Sequence, residues 1–361
     1  MSAAAAPLAG IKVLEFASIG PGPHCAMLLA DLGAELVRIN RSGGNGFPNP
    51  IADRGRASLE VDIRSEPGRT LCQAAAEKAD VLIEGLRPGV MERLGLGPEE
   101  LCRRNPRLVY GRMTGWGQGG PWERKAGHDL NYIALTGALA AMGDPGRSPQ
   151  PPLNLVGDFG GGSLYLTVGI LAALFERERS GRGQVVDAAI IDGVNSLMTF
   201  FSGLVNARVL SMDRALNPLA GGAPNYHCYE CADGRFLSVG ALERPFYERL
   251  LTAIGARPAL LDEITDQAAW PRQCEELAAL FKTRTRDAWC ELLDPVDACT
   301  APVLELDEAP GHPQMRGRQA FLVHEGQVQA APAPRLSRTP GRIAPTRDGR
   351  TVLAGWGVGE R

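Results

Sequence analysis

Two polar residues stand among glycines in a way that invites chemistry. Asp158 lies in Asn154-Leu-Val-Gly-Asp-Phe-Gly-Gly-Gly162, and His128 in Gly127-His-Asp-Leu-Asn-Tyr132. Carboxylate and imidazole are the side chains that most often take or give a proton during a reaction. Each also has an ordinary structural use. Aspartate is a favoured helix N-cap, and His128 opens an apolar, helix-like stretch where a polar residue is unremarkable. The run Gly160 to Gly162 is harder to explain by helix formation, because each glycine costs on the order of 1 kcal/mol relative to alanine. Close approach of a ligand to bare backbone N–H groups is the natural use of such a run. The Asp-Phe-Gly triplet also occurs in protein kinases, but neither a Gly-rich ATP loop nor a His-Arg-Asp loop accompanies it.

Phosphate recognition is the second chemistry the residues offer. Gly20-Pro-Gly22 follows an apolar strand-like run, as in dinucleotide-binding turns. The third glycine of that fingerprint falls at Cys25, and Asn40-Arg41 stands where an acidic residue would hold a ribose. An arginine there favours a phosphorylated ribose, either that of NADP or the 3′-phosphate of CoA. Arg54, Arg56, Arg87 and Arg93 also lie in or next to expected loops, and a guanidinium fork suits phosphate. Arg41 and Arg87 are the best placed, each closely following an expected strand. Cys228 and Cys231 beside His227 are the one close thiol pair. They fall in a strand-like run where residues three apart face opposite ways, so no metal site is expected.

The elements that must position these residues alternate. Ile11 to Ala17, Ala34 to Ile39, Val81 to Glu84, Arg107 to Met113 and Gln184 to Ile191 read as strands, with amphipathic helical stretches between them. That alternation predicts an α/β fold, a Rossmann-like large domain with a mostly parallel sheet. A helix is expected from Phe159 to Arg179 and another from Asp192 to about Leu210. Further on, a hairpin about Asp233-Gly234, two or three helices and a strand from Ala301 to Leu306 predict a smaller α+β domain. The expected boundaries are a large domain over 1–188 completed by 334–361, a linker over 189–222, the small domain over 223–320 and a return linker over 321–333.

The bulk properties narrow the partners. The 361 residues are 44% hydrophobic and 22% charged, with a net charge of −3. No basic excess exists to neutralise a run of phosphates, so no nucleic-acid partner is expected. No run of 18 or more consecutive apolar residues occurs and Met1 to Pro7 does not read as a signal peptide, which predicts a cytoplasmic protein without a membrane partner. The eight cysteines are scattered, as buried thiols in a reducing compartment are.

Seven segments in one order carry a resemblance that covers nearly the whole chain: Ile19-Gly-Pro-Gly-Pro-His24, Leu32-Gly-Ala-Glu-Leu-Val-Arg38, Glu84-Gly-Leu-Arg-Pro-Gly89, Gly115-Trp-Gly-Gln118, Gly127 to Tyr132, Gly157 to Gly162 and Gly183-Gln-Val-Val-Asp187. The chain resembles the α-methylacyl-CoA racemases of the family III CoA-transferase superfamily. That resemblance implies an isomerase acting on acyl-CoA thioesters, with His128 and Asp158 on either side of the substrate α-carbon. It implies that Glu243, supplied by the small domain of a partner subunit in an interlocked homodimer, orients His128. It further implies that CoA is held by Arg41, by Val61, Asp62, Ile63 and Arg64, by Gly85, Leu86 and Arg87, and by Arg93. The two catalytic loops would add Gly127, Asp129, Leu130, Asn131 and Tyr132, and Gly157, Phe159, Gly160, Gly161 and Gly162. CoA is then part of the substrate, and no separate cofactor is implied. Met113, Met142, Met198 and Met212 are candidates for the adaptable apolar wall that the resemblance implies for the acyl chain.

Proton abstraction beside a thioester needs a placed base and donors for the enolate oxygen. The glycine segment after Asp158 is expected to supply those donors. An exposed aspartate is too weak a base near neutral pH, so burial or coupling to His128 must raise the Asp158 pKa. The nearest alternative is a CoA transferase of the same superfamily, in which Asp158 would attack the thioester to form an anhydride. His128 separates the two, because the transferase pattern lacks it. An NADP-binding reductase would account for Gly20 and Arg41 but leaves Asp158 unexplained, and a non-catalytic CoA-binding protein would need neither His128 nor Asp158.

Overall fold

The computed structural model describes residues 6–44 and 49–359. Its backbone divides into two units, one formed by residues 1–136, 152–198 and 329–361, the other by 137–151 and 199–328.

The first unit is built on short strands, most of them buried along their length, as in a parallel sheet covered from two sides. β1 (Lys12–Phe16), β2 (Glu35–Asn40), β3 (Ala57–Glu60), β4 (Val81–Glu84), β5 (Val109–Thr114), β6 (Val185–Ala189) and the two-residue β12 (Arg347–Asp348) form one sheet. Its order is β12-β3-β2-β1-β4-β5-β6, paired in parallel throughout. Strand order therefore reverses between β1 and β4, which opens a crevice beyond their C-terminal ends. Alternate residues Leu14 and Phe16, Val37 and Ile39, Leu82 and Tyr110 pack in one core with α2 (Glu66–Lys78), α4 (Pro98–Arg104) and α14 (Gly349–Gly355). On the first unit's α1 (Pro21–Asp31) side the sheet carries charge, with Glu15 and Arg38 buried and paired with Arg56 and Asp53.

Two short helices complete the crevice, α3 (Val90–Arg93) after β4 and α5 (Asp129–Leu135) after β5. The long helix expected from Phe159 is in fact two pieces. A π-helix spans Leu155–Ser163 and runs directly into α6 (Leu164–Ser180), followed by β6 and α7 (Ile190–Leu197). Together residues 155–180 are long and apolar enough to cross a bilayer by length and composition, with a mean hydropathy of 1.4 over an 18-residue window. Leu166, Ile170, Ala173 and Leu174 are instead buried, so covering the sheet accounts for much of that apolarity.

The main part of the second unit starts with α8 (Thr199–Asn206), and the segment expected as a linker over 189–222 is largely helical up to Asn206. β7 (Tyr226–Glu230), β8 (Phe236–Gly240) and β9 (Thr300–Val303) form an antiparallel sheet. α9 (Arg244–Ile254), α10 (Leu260–Glu263), α11 (Trp270–Phe281) and α12 (Arg286–Leu293) supply the rest of its core around Tyr229, Phe281 and Trp289. Beyond α13 (Pro313–Gly317), the expected return linker folds as β10 (Phe321–His324) and β11 (Gln327–Ala330), joined at Glu325-Gly326.

Candidate functional site

Two adjoining cavities occupy the crevice at the strand reversal. The first, of about 620 Å³, is walled by Phe16, Ile39, Ile63, Leu86 and Leu94, with Arg41 and Arg64 among its lining. Val61, Asp62, Ile63, Arg64, Gly85 and Leu86, the residues that the resemblance implies for CoA, all line it. The second, of about 520 Å³, shares Ser18, Ile19, Gly85 and Leu86 with the first, and Arg87, Gly127, His128, Tyr132, Asn154 and Asp158 line it. The two residues singled out for proton chemistry are thus brought to one cavity from two different loops. An apolar slot flanked by arginines, opening into a cavity with an acid/base pair, can hold a long ligand with a planar, phosphorylated end and a reactive end.

The loops lie close because the chain omits side chains where backbones meet. A Cβ on Gly85 would stand 2.9 Å from the Ser18 hydroxyl, and one on Gly20 would stand 2.9 Å from Asp158 Oδ2. Glu84, fully buried at the end of β4, accepts the Leu86 N–H at 2.8 Å and pairs with Arg112 at 2.9 Å, fixing the loop that lines both cavities. On the other side, Trp116 packs edge-on against Tyr132 with ring centroids 4.6 Å apart, and the Tyr132 hydroxyl donates to the Gly127 carbonyl. The residue before His128 is therefore held by an aromatic platform. His128 itself is the N-cap of α5, and its N–H donates to Asn131 Oδ1 at 3.1 Å.

Asp158 sits in the first turns of the π-helix, partly buried, with Asn154 Nδ2 donating to its Oδ2 at 3.2 Å. Burial raises its pKa above the usual aspartate value; the Asn154 hydrogen bond lowers it, the charge of Asp129 raises it and His128 lowers it. The direction is the expected one. Desolvation produces it, while His128 acts in the opposite sense.

Several expected ligand contacts are taken up inside the protein. Gly157, Gly161 and Gly162 are buried, and neighbouring groups pack against each where a side chain would stand. A Cβ on Gly161 would stand 2.8 Å from the Val194 nitrogen of α7, and one on Gly162 would stand 3.0 Å from Pro21 Cβ of α1. The N–H groups of Gly157 and Asp158 are engaged by the Asp129 carboxylate, at 2.7 Å for Asp158, so they are not free to stabilise an enolate. Phe159 turns its ring to His24, with centroids 4.8 Å apart. Asp129, Leu130, Asn131, Gly160 and Arg93 line neither cavity.

Arg54 and Arg56, read from sequence as possible phosphate ligands, are buried and paired. Arg54 binds Asp31 at 2.6 Å and Gln329 at 2.7 Å, and Arg56 binds Glu15 at 3.0 Å and Asp53 at 2.8 Å. Of the four methionines, Met113 lines the second cavity and the others line neither. Glu243 belongs to the second unit, exposed at the N-cap of α9. Among the described residues no His, Cys, Asp or Glu cluster could hold a metal ion.

Residues that sequence reasoning did not assign to the site are Ser18, Trp116, Glu84 and His24. His24 Nδ1 lies 2.7 Å from the Ser163 hydroxyl at the far end of the π-helix. Burial, with the charges of Arg56 and Arg54, lowers its pKa and so favours the neutral ring. Its place in Ile19-Gly-Pro-Gly-Pro-His24 was the available signal, together with Trp116 in Gly115-Trp-Gly-Gln118.

The family model for CoA-transferase family III matches residues 8–348. The chain belongs to CoA-transferase family III. It is 45% identical to α-methylacyl-CoA racemase of Mus musculus over 94% of this chain and 89% of the relative. It is 42% identical to that of Homo sapiens over 92% and 87%. Among solved structures, a CAIB/BAIF family protein from Brucella suis superposes with a TM-score of 0.83 at 25% identity, covering 98% of this chain and all of the other.

Proposed function

We propose that this family member is a racemase that interconverts (2R)- and (2S)-2-methylacyl-CoA thioesters by removing and returning the α-proton through an enolate. The observation that carries the reading is that His128 and Asp158 line one cavity, with the carboxyl of Asp158 made more basic by burial. The identity to racemases over most of the chain supports it. CoA is part of the substrate, and the reading needs no separate cofactor. The adenine and its phosphates would occupy the first cavity against Ile39 and Ile63, near Arg41 and Arg64, with the pantetheine passing Gly85 and Leu86 into the second. One of the pair takes the proton from one face while the other, protonated, gives one to the opposite face; in the reverse direction the roles exchange.

The working assembly is an interlocked homodimer in which Glu243 of one subunit orients His128 of the other. The outward stripe of α6 supports an assembly: Leu164, Val168 and Phe175 are exposed, Phe175 to 71%, and apolar patches of this kind mark interfaces.

The test is incubation with a single enantiomer of a 2-methylacyl-CoA in heavy water. Deuterium entering the α-carbon with loss of optical purity, in the absence of any acceptor acid, is the expected result. The transferase reading, favoured by the carboxylate of Asp158 alone, predicts acyl movement only when an acceptor is added, with an enzyme-bound acyl group trapped by hydroxylamine; that outcome would overturn the racemase.

A further inference from the structure

Asp129 follows His128 directly, opens α5 and is 7% exposed. Its Oδ2 accepts the Asp158 N–H at 2.7 Å, and the same carboxylate takes the Gly157 N–H. Position 157 is shaped for this, because any Cβ there would overlap Asp129 Oδ2. The second oxygen, Oδ1, is buried without a hydrogen-bond partner among the described residues. A carboxylate left half satisfied in the interior is unfavourable, and an asparagine could accept the same N–H groups without bringing a charge. The charge therefore needs a reason.

We propose that Asp129 is a positioning residue of this site, whose buried carboxylate ties the backbone carrying Asp158 to the helix start carrying His128 and, when ionised, sets a negative charge beside Asp158. This rests on the reading of His128 and Asp158 as the acid/base pair. The tie sets how far apart the two groups stand, and proton transfer is sensitive to such distances. The charge works with burial to hold a proton on Asp158, against the opposing pull of His128. The other ionisable groups near Asp158 are Tyr132 on α5 and Arg87, Glu123 and Lys125 on the cavity wall. With Asp129 neutralised, Asp158 gives up its proton at lower pH.

Two variants separate the tie from the charge. Asp129→Asn keeps an acceptor for the N–H groups and removes the charge; Asp129→Ala removes both. Each is compared with the wild type for kcat, KM and α-deuterium exchange from both enantiomers across pH, with thermal unfolding as the check on folding. In the direction in which Asp158 acts as the acid, the rate falls as pH rises through its pKa. For Asp129→Asn that fall moves to lower pH by about 0.5–1 unit, with KM within about twofold, because the side chain lines neither cavity. Asp129→Ala lowers kcat on the order of 100-fold, and Asp129→Asn recovers most of that loss. An unmoved profile in Asp129→Asn, or a change in KM with kcat intact, overturns the role of Asp129; should Asp129→Ala fail to fold, Asp129→Asn decides alone. A wild type that exchanges no deuterium overturns the acid/base reading itself and this role with it.

Discussion

A carboxyl group that must take a proton from carbon near neutral pH has to be a stronger base than aspartate is in water. Burial achieves this for Asp158, and the same desolvation weighs on the fold. A group whose pKa is raised by folding contributes its stability fully below its unfolded value, about 3.9, and loses it as pH rises through the folded value. Asp158→Asn removes that charge while leaving an oxygen for Asn154. It is expected to abolish racemisation, by on the order of 1,000-fold or more, and to raise Tm by about 1–2 °C near pH 7. The gain disappears below about pH 4. Thermal scans at the two pH values check it, and an equal gain at both would show that the charge was not its source. That His128 and Asp158 belong to one cavity was legible in the sequence, because a glycine-marked loop and a family pattern pointed to both. Arg54 and Arg56 were misread, since residue type alone does not say whether a guanidinium faces phosphate or an internal Asp31 or Glu15. Asp129 is a ligand contact only by the resemblance, which implies its whole loop; that its side chain turns inward is a property of packing that the loop's residues do not reveal.

At the scale of elements, β1 to β6 and their order were accessible because buried parallel strands are short apolar runs with helices between them. The π-helix was not. Its wider turn is held by what packs against it, and no local propensity distinguishes Leu155–Ser163 from an ordinary helix start. The break between α7 and α8 is likewise hidden in one continuous apolar stretch. The glycines gave the clue, but to a different cause: α7 lies so near the π-helix that a Cβ on Gly161 would stand 2.8 Å from the Val194 nitrogen and 3.0 Å from the Ile190 oxygen. Gly161→Ala must push these backbones apart, costing about 2–3 kcal/mol. The displacement moves the segment that carries Asp158, so kcat falls as well. Gly203→Ala is the matched control, a helix glycine in α8 with nothing within 4 Å of the added methyl. It is expected to be neutral or to stabilise by up to about 1 kcal/mol. Urea unfolding of the pair checks both; equal stability of the two variants would remove the packing explanation for Gly161.

At the scale of the whole molecule, the C-terminal segment comes home as the sequence predicts, β12 pairing beside β3 and α14 packing on the same sheet. The sheet therefore needs both ends of the chain, while the second unit is inserted between them. The proposed dimer gives that insertion a purpose, since it lets one subunit supply Glu243 to the His128 of the other. The arrangement is open to a complementation experiment. His128→Ala and Glu243→Ala are each expected to be inactive as homodimers. In a mixed dimer, the intact His128 of the Glu243→Ala chain faces the intact Glu243 of the His128→Ala chain, and one complete site forms. Random assortment makes half the dimers mixed, each with one working site of two, so co-expression of the two chains should recover about a quarter of wild-type activity. If Glu243 served the His128 of its own chain, or served none, every site in the mixture would lack one of the two residues or be indifferent to Glu243. Recovery would then be absent in the first case. In the second, Glu243→Ala alone would already be active. Both outcomes are read in the same deuterium-exchange assay, and only recovery from two inactive parents fits a site shared between subunits.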